Sequence, residues 1–482
     1  MLLANDSSPI RLARIFIVAL FAWIHCQGEV AFAQALDSKP LQLVVYAQPE
    51  STVATEPNLL PNAAHWQAGD AAPIYRQLIE SMRTDLRDPQ VVRAIYALRR
   101  LDAPGLLKDE TLTRLLAKQL LLESLEAASW RQYAGWRTPL RLSADPDYNL
   151  QACELFGILL ASKVRIDSAS RDMSAASNAA RIGLTLARHV SQGGTPGHAL
   201  VALQIESAIT RALLDFVQTP KAPNLYWSLR ALPTPLVDFS QAWMAEASEI
   251  ELSFPWISEL ETPGGEPDVW NKRLDEFATQ LRAVTDARGE PTSLEENVIF
   301  GYPLAKSRLM KAGYLPEFLE AMPVSKVMLL DAYRMDKQQR AQVLKWLPLP
   351  FSESYLALKK SEEALRSRDG FGLGEDALRP YGNQLSLTWV RERMVENEQF
   401  NSMLAIVEAL RISLDREGAF PITLDELQET TPCPIDSVSG QPFRYECDGK
   451  TATITGAAIS GSVATREIKI AEVPLSSRGE GQ

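Results

Sequence analysis

The sequence predicts a mainly α protein, an irregular multi-helix bundle or stack of αα-hairpins with a small α+β cassette at its C-terminal end. The first observation is that helical periodicity of apolar residues begins near Asn62 and dominates about the next 350 residues. The second is that Gly and Pro breaks between the periodic segments are short, which is typical of helical hairpins. The third is a β-hairpin signal, in which two alternating segments flank Asp448-Gly449.

The composition and charge exclude several classes of function. The 482 residues are 46% hydrophobic and 23% charged, which is ordinary for a globular chain of about two to four domains. The formal net charge of −11 argues against binding of the nucleic-acid backbone, which needs a clustered basic surface. The sequence also lacks a phosphate-binding loop, a zinc-type Cys/His cluster and a Gly-x-Ser-x-Gly motif. We therefore expect no nucleic-acid partner and no cofactor.

The N-terminus has the features of an export signal. Arg11 and Arg14 precede the apolar run 15–24, and Ala31-Phe32-Ala33 offers the small residues that a signal peptidase reads. We therefore predict a signal peptide over residues 1–33 and a mature protein in the periplasm or outside the cell. The alternative is an uncleaved N-terminal anchor, and only in that case would the chain contact a membrane.

Shifts in composition divide the rest of the chain. Pro, Ser, Thr and Asn are frequent in residues 49–61, and a loop rich in Gly, Pro and acidic residues occupies 261–269. The predicted divisions are an N-terminal extension or linker at 34–61, a helical domain at 62–260, a second helical region at 261–384, the C-terminal cassette at 385–472 and a disordered tail at 473–482. Within the extension, residues 41–46 predict one short strand.

The helical domain contains one clear αα-hairpin. Residues 149–164 are apolar almost all round, which predicts a central buried helix. The next helix, 178–190, carries its apolar residues on one face and stops at Gly193-Gly194. Thr195-Pro196 then opens a second amphipathic helix, with a capping hydroxyl followed by a first-turn proline.

Three glutamates form the candidate catalytic set. Glu246, Glu249 and Glu251 lie on one predicted helix just before Phe254-Pro255-Trp256. Glu246 and Glu249 are three residues apart and so face the same way. Two carboxylates beside aromatic rings suit glycoside hydrolysis when about 5 to 9 Å separates them. A solvated helix face explains the same pattern.

Aromatic and histidine residues give weaker candidates. Four aromatic residues could line a sugar or peptide groove, or wedge helices together: Tyr226, Trp227, Trp243 and Trp256. The αα-hairpin could bring His189 and His198 together, with Glu206, as a metal site. The alternative is that the two histidines are unconnected residues on polar faces. We expect Cys153, in its apolar helix, to be a buried small hydrophobe.

The C-terminal cassette is predicted in the most detail. One helical stripe ends at Gly418, and Thr423 with Glu426 forms a capping box for a short helix. A type I′ turn at Asp448-Gly449 fixes the hairpin register. The predicted cross-strand pairs are Cys447 with Lys450, Tyr445 with Ala452, and Phe443 with Ile454.

The hairpin register suggests a disulfide. It places Cys447 on the inner face with Phe443, Tyr445 and Ile454, where it can meet Cys433. Export would put both thiols in an oxidising compartment. We therefore predict a Cys433–Cys447 disulfide, which is worth about 3 kcal/mol in the chain-entropy model.

The cassette also resembles a known family. Its ordered motifs are Glu408-Ala-Leu-Arg, Asp415-Arg-Glu-Gly, Pro421, Leu424-Asp-Glu-Leu, Pro434-Ile-Asp, Gly440-Gln-Pro-Phe and Tyr445. This order is similar to the C-terminal half of type II secretion pseudopilins, over about a tenth of the chain. It also looks like the end of a group of uncharacterised exported bacterial helical proteins, which Pro223-Asn-Leu-Tyr-Trp and Leu232-Pro-Thr-Pro resemble too.

The resemblance implies a local fold rather than a role in secretion. The chain lacks the pseudopilin N-terminal membrane helix, and Ser437 stands where that family usually has proline. Some pseudopilins bind calcium near this loop, which makes Asp436 a candidate metal ligand. The alternative is that Asp436 caps its own turn.

These observations lead to two hypotheses of function. The first is an exported structural or protein-interaction protein of the bacterial envelope, with a protein partner that the sequence does not identify. The second is a hydrolase that acts on glycans or peptides through the carboxylates near Glu246–Trp256. Because no catalytic motif is present, the sequence favours the non-enzymatic hypothesis.

Overall fold

The computed structural model describes residues 40–51, 58–136, 146–194, 196–239, 243–244, 248, 251, 254–285, 294–366, 386–459 and 467–472. The predicted signal peptide (1–33) and tail (473–482) lie outside these described residues. The described chain is mainly α-helical with a small sheet that includes the C-terminal hairpin. This confirms the predicted fold class.

The chain divides into two compact units. Unit 1 comprises residues 1–243 and 393–482, and unit 2 comprises residues 244–392. The sequence instead places divisions after residues 260 and 384. The helix α16 (Leu387–Glu417) begins in unit 2 and continues through unit 1, so this boundary lies inside a helix, where a change in composition gives no signal.

The remaining elements follow in chain order. Unit 1 contains α1 (Ala72–Ser81), α2 (Arg83–Arg87), α3 (Pro89–Ala97), α4 (Ala103–Lys108), α5 (Glu110–Leu116), α6 (Gln119–Ser129), α7 (Pro146–Ala169), α8 (Met173–Ser191), α9 (Pro196–Val217) and α10 (Tyr226–Arg230). Unit 2 contains α11 (Pro267–Thr285), α12 (Leu294–Lys311), α13 (Pro316–Glu320), α14 (Val324–Leu344) and α15 (Phe351–Arg366). Short 3₁₀ helices span Ala63–His65, Leu98–Arg100, Pro255–Glu259 and Leu424–Leu427.

The core of unit 1 is built around α7, α8 and α9, which pack on one another. The predicted central helix lies within α7, and the predicted hairpin corresponds to α8 and α9. Gly157 on α7 and Gly183 on α8 let α9 approach closely. A Cβ at Gly157 would lie 2.7 Å from Ile205, and one at Gly183 would lie 2.3 Å from Ile209.

A four-stranded sheet joins the two ends of unit 1. Its strands are β1 (Leu41–Val45), β4 (Arg444–Cys447), β5 (Thr451–Thr455) and β6 (Glu467–Glu472), in the order β1-β6-β5-β4. β1 pairs in parallel with β6, and the other neighbours are antiparallel. The strand at residues 41–46 was predicted, but β6 was not. A separate parallel pair joins β2 (Gln67–Asp70) to β3 (Arg131–Tyr133).

The predicted hairpin register is wrong by two residues. Tyr445 pairs with Ile454, and Cys447 pairs with Ala452. The turn is centred on Gly449-Lys450 because the Asp448 carboxylate accepts hydrogen bonds from the amides of Lys450 (3.0 Å) and Thr451 (2.7 Å). Side chains alternate with a period of two, so a shift of two leaves each on its predicted face.

Unit 2 has its own apolar core. Phe254 and the 3₁₀ helix Pro255–Glu259 pack with residues of α11 to α14. The core residues that these helices contribute include Trp270, Phe277, Leu309, Leu319 and Val327. The buried Lys326 donates to the carbonyls of Thr262 (2.6 Å) and Gly264 (3.1 Å), which fixes the loop before α11.

Candidate functional site

A buried ion pair lies at the centre of unit 1. Glu408 and Arg411 are one helical turn apart on α16, both side chains are fully buried, and Arg411 Nη1 lies 2.9 Å from Glu408 Oε1. Arg411 also donates to the carbonyls of Tyr46 (3.2 Å) and Ala222 (2.8 Å). Burial raises the pKa of Glu408, and the positive charge of Arg411 opposes that rise.

The same pair organises the loop before α10. Glu408 Oε2 accepts from the amide of Leu225 at 3.2 Å, and the Glu408 carbonyl accepts from Asn224 Nδ2 at 2.9 Å. Two segments distant in sequence, Glu408-Ala-Leu-Arg and Pro223-Asn-Leu-Tyr-Trp, therefore meet in space. Their polar groups bond to each other and to backbone, so their role is to hold the fold.

The predicted disulfide is absent. Cys433 and Cys447 are both free thiols. Cys447 Sγ lies 3.2 Å from the amide of Gly449, so it faces the hairpin turn. Cys433 Sγ instead lies 3.9 Å from the carbonyl of Thr431 and 4.0 Å from that of Leu424. The two sulfur atoms make separate local contacts, which corrects the prediction.

Asp436, the candidate metal ligand, is enclosed by N–H donors. Its Oδ1 accepts from Gln399 Nε2 and the amide of Val438, both at 2.9 Å, and its Oδ2 accepts from the amide of Ala457 at 2.6 Å. The side chain is 1% exposed. These contacts are those of a carboxylate that caps its own turn and ties α16 to the chain after β5.

The two histidines and Glu206 make separate contacts. His189 Nδ1 lies 3.0 Å from Tyr75 Oη, and His189 Nε2 lies 3.0 Å from the carbonyl of Arg131. His198 packs so closely on Gly193 that a Cβ there would lie 2.0 Å from its ring. Burial lowers the pKa of each histidine to about 4. Within the described ranges, no three His, Cys, Asp or Glu side chains form a group that could hold a metal ion.

Glu206 is a buried carboxyl group with amide partners. It is 2% exposed, and its two oxygens accept at 3.2 Å from Asn397 Nδ2 and Asn401 Nδ2 of α16. Burial raises the pKa of Glu206 to about 7. The sequence signal for this site is the spacing of Asn397 and Asn401, which are one helical turn apart.

The four candidate aromatic residues occupy several packing environments. Tyr226 is buried and its hydroxyl donates to the carbonyl of Pro432 at 2.7 Å. Trp227 is 38% exposed and donates to Glu50 at 2.7 Å. Trp243 is buried beside Phe239, and Trp256 packs on the Phe254, Trp270 and Phe277 rings. Each aromatic side chain therefore packs against, or hydrogen-bonds to, its own local neighbours.

Of the three candidate glutamates, only Glu251 is described, since Glu246 and Glu249 lie outside the described residues. Glu251 Oε1 accepts from the Tyr333 hydroxyl at 2.9 Å, while its buried Oε2 has no hydrogen-bond partner among the described residues. Asp336 lies one turn after Tyr333 on α14. It forms an ion pair with Arg340 and is 3% exposed. Burial raises the pKa of Asp336 to about 6, and the negative charge of Glu251 adds to the rise.

Sequence reasoning missed Asp336. Its signal was the helical spacing of Tyr333, Asp336 and Arg340, which places all three on one side of α14. Within the part of the chain that the structure describes, Asp336 Oδ1 has no hydrogen-bond partner, like Glu251 Oε2. Two carboxyl groups in unequal environments are the arrangement from which acid and base roles arise in hydrolases.

An exposed apolar face on α12 is the second feature of unit 2. Ala305 and Leu309 point into the core, and Val298 and Tyr302 pack against it. A neighbouring face is solvent-exposed although it carries large apolar side chains. The exposed apolar residues on this face are Ile299 (66% exposed), Pro303 and Met310 (44%), and we call these three the α12 face, while the exposed Leu304 lies on a different side of the helix.

An open groove runs along the α12 face. It is lined by Tyr302, Pro303, Lys306, Ser307, Met310 and Lys311.

Among the described residues, no helix is both long and apolar enough to cross a membrane. The chain matches no known family model, no curated protein and no solved structure.

Proposed function

We propose that the protein is an exported structural or protein-interaction protein of the bacterial envelope, and that it contacts its partner through unit 2. The α12 face is the observation that carries this proposal. A row of exposed apolar residues of this kind marks a contact site for other molecules. The N-terminal export pattern of Arg11, Arg14 and Ala31-Phe32-Ala33 supports the envelope location.

The spacing of the exposed residues supports a contact surface. Ile299, Pro303 and Met310 are separated by four and seven residues, so they share one side of α12. Isolated exposed apolar residues are normal on a protein surface, whereas a row along one helix is the pattern of helix-mediated recognition.

Site-specific photo-crosslinking in the source bacterium tests the proposal. A photoreactive residue at Ile299 should crosslink to an envelope protein, and the same residue at Leu356, which is 70% exposed on α15, should not. N-terminal sequencing of the fractionated protein should find a chain that begins after Ala33. A cytoplasmic chain that gives no crosslink from Ile299 would remove the proposal.

The second candidate function is hydrolysis of glycans or peptides at Glu251 and Asp336. It is supported by one buried carboxyl oxygen on each residue that no described residue hydrogen-bonds, and by the raised pKa of Asp336. In that reaction Asp336 would act as the acid and Glu251 as the base or nucleophile. Chromogenic glycosides and peptides test it: activity that Asp336→Asn and Glu251→Gln both abolish supports it, and activity that survives both excludes it.

A further inference from the structure

The α12 groove combines apolar and basic side chains. Met310 and the ring of Pro303 provide apolar surface, and Tyr302 connects the groove to the core behind it. Lys306 and Lys311 lie at the same surface. A ligand that covers this groove therefore needs apolar groups together with negative charge.

Lys306 and Lys311 differ in whether a carboxylate pairs with them. Lys306 Nζ lies 2.9 Å from Glu320 Oε1, and this hydrogen bond raises the pKa of Lys306. Arg308, on the same helix, bonds to Asp331 with Nε 2.9 Å from Oδ2. Lys311 is exposed, and no carboxylate of the described chain pairs with it. Its charge remains for a partner.

Pro303 adds a backbone acceptor beside these side chains. A proline inside a helix has no N–H, so the carbonyl of Ile299 lacks the donor that the fourth residue along normally supplies. Ile299 is the most exposed member of the α12 face. A donor on a bound segment can therefore satisfy this carbonyl while apolar side chains cover Ile299 and Met310.

We infer that the α12 groove binds an amphipathic helix of another protein, whose apolar face covers Ile299 and Met310 and whose acidic side chain pairs with Lys311. This inference rests on the proposed interaction function and names the chemistry of the partner. The exposed positive charge of Lys311 favours a segment that carries an acidic side chain. We therefore assign the groove to an acidic helix of another protein, and a second copy of this chain is the alternative that crosslinking distinguishes.

Binding of model helices to the full chain tests the chemistry. The probe is a fluorescein-labelled amphipathic 16-residue peptide with Leu along one face and Glu on its flanks, and its counterpart carries Lys in place of Glu. Fluorescence anisotropy should show the Glu probe binding about tenfold more tightly than the Lys probe. Equal binding of the two probes, or binding of neither, would overturn the inference.

Variants locate the binding. Met310→Asp should weaken binding of the Glu probe by about tenfold, because the probe then no longer buries an apolar methionine side chain in the contact. Lys311→Glu should weaken the Glu probe about threefold to tenfold and improve the Lys probe. Leu356→Asp on α15 is the control and should leave both affinities unchanged. Thermal unfolding curves of all three variants should match the wild type.

Crosslinking separates this inference from the function on which it rests. A photoreactive residue at Ser307 should give the envelope crosslink of the wild type, and Lys311→Glu should reduce its yield severalfold. A crosslink that Lys311→Glu leaves unchanged would overturn the acidic-helix inference while the interaction function stands. A crosslinked product of twice the chain mass, with a dimer in light scattering, would show that the partner is a second copy of this chain. No crosslink from Ile299 or Ser307 would remove both.

Discussion

In unit 1 the buried carboxylates Glu408 and Asp436 are enclosed by donors, whereas in unit 2 Glu251 and Asp336 each keep one buried oxygen that no described residue hydrogen-bonds. Unit 2 also exposes the α12 face to solvent. Satisfied buried charge specifies a fold, while unsatisfied charge and exposed apolar surface cost stability and persist where function needs them. This difference supports our proposal that unit 1 is the scaffold and that unit 2 makes the contact.

The largest effect expected is the loss of Arg411. Arg411→Met leaves Glu408 buried without its cation and removes the donors to Ala222 and Tyr46, so the free energy of unfolding should fall by about 3 to 5 kcal/mol. Denaturant unfolding followed by circular dichroism measures the change. The control is Arg416→Met on the same helix, because Arg416 pairs with Glu50 in a partly exposed ion pair that is worth at most about 1 kcal/mol.

Equal losses for the two variants would contradict the scaffold role. A further variant removes both charges, Glu408→Leu with Arg411→Met. It should be more stable than Arg411→Met alone, because no unpaired charge then remains in the core.

The next effect is a pH dependence that Glu206 imposes on unit 1. Its pKa rises from 4.5 unfolded to about 7 folded, so the folded state holds the proton more tightly. The stabilisation is full below pH 4.5 and is lost as the pH rises through 7, by roughly 3 kcal/mol in all. Glu206→Gln keeps the shape of the side chain but cannot ionise. In this variant the free energy of unfolding should lack the fall between pH 5 and 8 that Glu206 causes.

The difference between wild type and Glu206→Gln is the quantity to measure. Other groups, such as the buried His189, titrate in both proteins and cancel in that difference. Parallel pH curves for the two proteins would show that the pKa of Glu206 does not rise on folding, because hydrogen bonds from Asn397 and Asn401 stabilise its carboxylate.

Local patterns in the sequence predicted much of this scaffold. The apolar stripe of α16, the capping box at Thr423 and the αα-hairpin of α8 and α9 all depend on residues close together in the chain. The faces of the hairpin strands were correct for the same reason, although the turn position was wrong. The parallel pairing of β1 with β6 was missed because it joins residues about 430 positions apart, which no local pattern records.

The polar sites were harder to predict than the helices. Periodicity marks Glu408 and Arg411 only as interruptions of an apolar stripe, since their partners at Tyr46 and Ala222 are distant in sequence. Asp336 was missed because its burial depends on tertiary packing. The predicted disulfide failed because proximity in sequence and a shared face do not fix where the two sulfur atoms point.

In unit 2, Pro303 should cost stability in exchange for a binding surface. Pro303→Ala restores the hydrogen bond to the carbonyl of Ile299 and should raise the free energy of unfolding of unit 2 by about 1 to 3 kcal/mol. The same change should weaken the Glu probe, because it removes the ring and occupies the open carbonyl. A variant that is more stable and binds equally well would show that Pro303 plays no part in the groove.

The smallest effect expected is that of a reductant on unit 1. Because Cys433 and Cys447 are free thiols, dithiothreitol should leave the unfolding midpoint unchanged. Iodoacetamide labelling of the native protein, read by peptide mapping, should modify these two half-buried thiols and spare Cys153 until the protein unfolds. Burial raises the pKa of Cys433 to about 11 and that of Cys153 to about 12, so labelling of Cys433 should accelerate as the pH rises. A midpoint lowered by several degrees in dithiothreitol, together with a peptide that joins residues 433 and 447, would instead establish a covalent clamp on the cassette.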